Sequence, residues 1–101
     1  MRAINITNAV TPVATACDQP NRWAAVLQND SDVDLFLKFD TSADVLTVDN
    51  GFRLGAGAHI ILESAANVCI ANNAISAIHA STGNKVLRMQ EFAVEGYTLT
   101  T

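Results

Sequence analysis

From Val33 to Phe39 the chain alternates without a break: Val33, Leu35, Leu37 and Phe39 share one face of an extended strand, and Asp34, Phe36 and Lys38 share the other. The period of two predicts a strand with one face in a core and one in water, and leaves Phe36 as the apolar residue on the wet side. Trp23 to Gln28 reads as a preceding strand, and Asn29-Asp30-Ser31-Asp32 is rich in turn formers, so Arg22 to Asp40 is expected to be a hairpin. Val45 to Val48 and Phe52 to Leu54 predict a second hairpin around Asp49-Asn50-Gly51, because Asn-Gly accepts the positive φ of a tight type I′ turn. A third is expected to join Ala74–Ala80 to Lys85–Glu91 through Ser81-Thr82-Gly83-Asn84.

The remaining segments extend the same picture. Ala58 to Glu63 follows the chain break Gly55-Ala56-Gly57, and Ala3 to Val10 and Phe92 to Thr101 are β-like through Ile4, Ile6, Val94, Tyr97, Leu99 and Thr100. Residues 1–10 and 96–101 are candidate extended arms for exchange with a neighbour's sheet. Ser64-Ala65-Ala66-Asn67 reads as loop and Val68-Cys69-Ile70 as one more short strand. No stretch holds an apolar 3.6-residue period between helix caps. The expectation is all-β: one domain over residues 1–101, a β-sandwich of seven to nine short strands, with the jelly roll among its possible windings.

Composition narrows the class. The chain has 101 residues, 50% hydrophobic and 16% charged, with a net charge of −4. Soluble domains average about 25% charged residues, so much of this surface is weakly polar. High hydrophobicity and low charge exclude disorder, and the acidic balance argues against a nucleic-acid binder built on clustered Lys and Arg. No apolar run approaches the roughly 18 residues of a membrane span, and the N-terminus lacks the apolar stretch of a signal peptide, so the protein is expected to fold where it is made. Cys17 and Cys69 belong to no CxxC pair and read as two free thiols rather than a disulfide.

Few constellations point to chemistry. Asp30-x-Asp32-x-Asp34 resembles the start of a calcium loop, but the sixth and twelfth positions, which need Gly and Glu, hold Leu35 and Thr41. The simpler reading gives Asp30 and Asp32 to the turn and Asp34 to a solvated strand face. His59, Cys69 and His79 lie on separate segments without the short spacings of zinc motifs, and the histidines are expected at polar or half-buried strand positions. Cys17 or Cys69 has no neighbouring base and no nucleophile signature, Glu91 and Glu95 read as surface charges, and Gly55-Ala56-Gly57 is no dinucleotide loop. Neither a catalytic residue nor a cofactor or metal site is assigned. What remains are surfaces: Phe36, Trp23 with Arg22 beside it, and Tyr97 in the Thr-rich tail are candidate interface anchors, or are covered by loops of the same chain.

The order Ile4-Asn5-Ile6-Thr7-Asn8-Ala9-Val10-Thr11-Pro12-Val13, then Asn21-Arg22, then Val26-Leu27-Gln28-Asn29-Asp30-Ser31-Asp32-Val33-Asp34-Leu35-Phe36-Leu37-Lys38-Phe39, resembles small structural proteins of tailed bacteriophages. The likeness continues through Gly51–Gly57 and Ala74–Ser81 to the acidic ending near Glu91. The resemblance implies a non-enzymatic virion component, sandwich- or jelly-roll-like and assembled in the host cytoplasm. It also implies a head decoration or cement protein, oligomeric with itself and bound to the major capsid protein, with no nucleic-acid or membrane partner. A head–tail connector, tail or fibre-base component is the alternative within the virion. From another class, a carbohydrate- or metal-binding sandwich would use Asp30, Asp32 and Asp34 with Trp23 as a stacking platform.

Overall fold

The computed structural model describes residues 1–14, 22–39, 45–63 and 74–93, with the backbone alone for Arg22, Trp23 and Ala93. Among them are eight strands: β1 (Arg2–Ile6), β2 (Thr11–Ala14), β3 (Arg22–Asn29), β4 (Leu35–Lys38), β5 (Phe52–Leu54), β6 (His59–Glu63), β7 (Ile75–Ile78) and β8 (Lys85–Ala93). They form two four-stranded antiparallel sheets, ordered β1-β8-β3-β6 and β2-β7-β4-β5. The first strand pairs with the eighth, the second with the seventh, the third with the sixth and the fourth with the fifth. A ribbon of paired strands wound in this way is a jelly roll. The fold is therefore the all-β sandwich that the alternating pattern predicts, and its radius of gyration of 13.1 Å equals the ~13 Å of a single domain of this length.

Alternation places the core. The inward positions Ile6, Leu27, Leu35, Leu37, Ile75, Leu87 and Met89 are each under 2% exposed, and Ala25 and Ala77 fill the tight places between the sheets. In β3 the inward parity runs Ala25, Leu27, Asn29; in the β7 segment it runs Ile75, Ala77, His79. Pro12, which has no N–H to give a ladder, stands in the edge strand β2 beside a register shift.

None of the three expected hairpins forms. β3 and β4 lie in different sheets, as do β7 and β8. Residues 45–47 are not a strand, and β5 pairs with β4 instead. Alternation specifies which side chains face inward, but that set is the same whether the chain folds back within one sheet or crosses the ~10 Å to the facing one. Every connection between successive strands except β4 to β5 makes such a crossing. The Asn50-Gly51 turn also differs from expectation. Asn50 and Gly51 both donate their N–H to Thr47 O, and the Asn50 side chain accepts from Thr47 N–H at 2.7 Å and donates to Val45 O at 2.9 Å. Positive φ is found instead at Gly57 (77°) and Gly83 (75°), in the β5–β6 and β7–β8 connections.

Two of the crossings are fastened by buried polar side chains. Asn29 and His79 are the buried polar residues among those described, 0% and 1% exposed, and each stands where the chain leaves a sheet. Asn29 Nδ2 donates to Val33 O and to Leu54 O, both at 2.8 Å, while its Oδ1 accepts from Ser31 Oγ. His79 Nε2 lies 3.0 Å from Ile6 O and 2.8 Å from Gly83 O, and Nδ1 accepts from Ser81 N–H at 3.0 Å. That acceptor role makes Nε2 the protonated nitrogen, shared between two carbonyls. A chain that turns out of its ladder strands such carbonyls without sheet partners, and these side chains satisfy them.

Candidate functional site

The three alternating carboxylates do not converge. Asp30 is paired with Arg88 at 2.7 Å, Asp32 with Lys85 at 2.9 Å and Asp34 with Arg53 at 2.8 Å. The β3–β4 crossing lies between the end of β8, which supplies Lys85 and Arg88, and β5, which supplies Arg53, so each acid meets its own cation. The hydrogen bond from Lys85, with its charge and the Asp32 backbone N–H, holds the Asp32 carboxyl below the ordinary aspartate range. Among the described residues no group of three His, Cys, Asp or Glu is placed to share a metal ion. Asp34 precedes β4 rather than lying on it.

The two histidines are separated by role as well as position. His59 is exposed on the outer face of β6, whereas His79 is fully buried rather than half-buried, with both ring nitrogens engaged. Cys17, Cys69, Glu95 and Tyr97 lie outside the described residues, as do the proposed arm 96–101 and the segment 64–70. Arg2–Ile6, within the other proposed arm, is the edge strand β1 paired with β8. Glu91 is not a free surface charge: its side chain is 7% exposed and accepts from Arg2 at 2.8 Å. The same guanidinium reaches Val13 O and Met89 Sδ, each at 3.3 Å, and so ties β1 to β2 and β8.

Of the candidate anchors, Arg22 and Trp23 begin β3, and Phe36 lies on the outer face of the second sheet, between Arg53 of β5 and Ile78 of β7. Phe36 is half-buried, in part by its own chain. Gly51 comes so close that a Cβ built on it would stand 2.8 Å from Phe36 Cβ and 2.8 Å from Leu46 Cδ1. Leu46 is buried outside the main core cluster, so residues 45–51 close over one end of this face.

The first sheet carries a feature that the sequence reading missed. On its outer side Phe92 of β8 stands opposite Ala24 of β3, and Val26 of β3 opposite Ile61 of β6. Phe92 is 43% and Ile61 55% exposed, with the half-buried Val26 and the buried Ala24 between them, so an apolar strip crosses three strands. Its rim is polar: Gln90, Gln28, His59 and Glu63. A strand parity that carries Ile61 outward between His59 and Glu63 was the available signal. No protein-family model, curated protein or solved structure matches the chain.

Proposed function

We propose that the protein is a non-enzymatic structural component of a tailed-phage virion, a head decoration or cement protein that binds the major capsid protein. The observation that carries this reading is the apolar outer face of the first sheet, on which Phe92, Val26 and Ile61 lie within a rim of Gln90, Gln28, His59 and Glu63. Interface centres are depleted of charge and enriched in aromatic residues, and a weakly charged face loses less hydration on docking than one rich in Lys or Glu. A small two-sheet sandwich also suits a part that must keep its shape while bridging subunits. Ligand binding to the assembled form then stabilises the shell by mass action. The separate cation given to each of Asp30, Asp32 and Asp34 counts against a shared metal site there.

The test is to add purified protein to expanded capsids lacking it and measure occupancy and resistance to heat. Many copies per particle and a raised disruption temperature are expected, with occupancy lowered by Phe92→Lys. Saturating occupancy without added resistance removes the cement role. A few copies confined to a vertex or tail point to a connector.

A further inference from the structure

A sheet edge is a row of N–H and C=O groups open to pairing, and among the described residues this sandwich has four: β1 and β6 in one sheet, β2 and β5 in the other. Two are blunted by their sequence. β2 carries Pro12 and a register shift, and β5 is three residues long. β1, paired with a copy of itself about Ile4, would set Arg2 opposite Ile6 and Ala3 opposite Asn5, which matches neither charge nor polarity.

β6 is different. Its five residues, His59-Ile60-Ile61-Leu62-Glu63, read polar, apolar, apolar, apolar, polar, with a basic residue at one end and an acidic one at the other. His59, Ile61 and Glu63 are exposed on the outer face, and Leu62 is buried and Ile60 half-buried on the inner one. Antiparallel self-pairing centred on Ile61 sets His59 opposite Glu63 twice, Ile60 opposite Leu62 twice, and Ile61 against itself. Both faces are then matched at once: an imidazole facing a carboxylate at each end outside, continuous core inside.

We propose that β6 is a dimerisation edge, to which a second copy of this chain adds its own β6 about a two-fold axis through Ile61. The two first sheets become one sheet of eight strands, and the row Val26–Ile61 continues into Ile61 and Val26 of the second copy. A five-residue edge falls in the small class of interfaces, below the roughly 1,200 Å² at which standard ones begin, so the dimer is weak and concentration-dependent. It requires only the purified chain and does not rest on capsid binding.

Sedimentation equilibrium of the full chain over a wide concentration range tests it. A reversible monomer–dimer equilibrium is expected, abolished by Ile61→Lys, which brings like charges together at the axis of an otherwise unchanged fold. Glu63→Lys is expected to weaken the dimer roughly tenfold by removing the carboxylate that each His59 ring faces. His59→Glu combined with Glu63→Lys is expected to restore it, because a carboxylate and an ammonium then face each other at both ends. Circular dichroism and urea unfolding verify that each variant is folded. A monomer at every concentration overturns the proposal, as does a dimer indifferent to Ile61→Lys or a double variant that fails to recover.

Discussion

Asn29 Nδ2 donates to Leu54 O at 2.8 Å across 25 residues of sequence, joining the point where β3 leaves the first sheet to the end of β5 in the second. The backbone of Asn29 is engaged as well: its N–H donates to Ala58 O at 2.8 Å, and its carbonyl accepts from Gly57 N–H at 2.9 Å. One residue thus fixes the β3–β4 crossing and the β5–β6 turn relative to each other. Asp30 N–H adds a bond to Val86 O at 3.1 Å, which anchors the crossing to β8 as well.

Asn29→Ala is expected to destabilise the fold by about 2–4 kcal/mol, since it strands the buried Leu54 carbonyl, leaves Val33 O to Ser31 Oγ alone and opens a small cavity. Asn29→Asp is expected to be at least as costly, because a carboxylate cannot donate to Val33 O or Leu54 O and is buried as a charge. Urea unfolding of both variants gives the two values. A loss near zero in either would show that the crossing is held elsewhere.

His79→Phe keeps an aromatic ring, somewhat larger than the imidazole, and removes its polar contacts with Ile6 O, Gly83 O and Ser81 N–H, so a loss of about 2–3 kcal/mol is expected. His79→Gln retains a side-chain donor and is expected to lose less. Equal losses from the two substitutions would mean that ring packing rather than hydrogen bonding sets the role of this residue. Thermal unfolding of the pair decides the point.

Gly51→Ala puts a methyl 2.8 Å from both Phe36 Cβ and Leu46 Cδ1 and 3.3 Å from the backbone nitrogen of Leu37. Phe36 Cβ and Leu37 N belong to β4 and cannot swing aside, so residues 45–51 must lift. A cost of about 1–3 kcal/mol is expected, with faster amide exchange at Asn50 and Gly51 than at Leu27 or Leu87 in the core. Unchanged exchange in that turn would show that β4 shifts instead of the turn.

The Asp32–Lys85 pair sets a pH dependence of known sign. Because the Asp32 carboxyl is held below its ordinary range, chiefly by the Lys85 hydrogen bond, its contribution is present above the unfolded-state aspartate pKa and is lost as pH falls through the lowered folded-state value. Asp32 is fully solvated, so the effect is small and screened by salt. At neutral pH and low salt the wild type is expected to melt slightly above Asp32→Asn, with the gap closing in strong acid or in high salt. A gap that widens in acid would reverse the assignment.

The all-β class, the inward parity of Leu35 and Leu37 in β4 and the outward position of Phe36 were legible in the sequence. Each depends on local alternation, which the pleat of a strand converts directly into faces. Asn29 and His79 were legible in part. Both fall on the inward parity of their segments, and a polar residue at an inward position must find buried partners. What those partners are could not be read, since Leu54 O and Ile6 O come from distant strands.

Strand partnership was decided only by the tertiary structure. The same inward set of Val33, Leu35, Leu37 and Phe39 serves a hairpin or a crossing equally well, and turn-forming residues permit both. The choice depends on which arrangement leaves fewest backbone groups unsatisfied over the whole chain, a quantity that sums contacts between β1 and β8 or β2 and β7 far apart in sequence. The same holds for the separate pairing of Asp30, Asp32 and Asp34 and for the strip from Phe92 to Ile61. Residues scattered along the chain become neighbours only when the ribbon is wound.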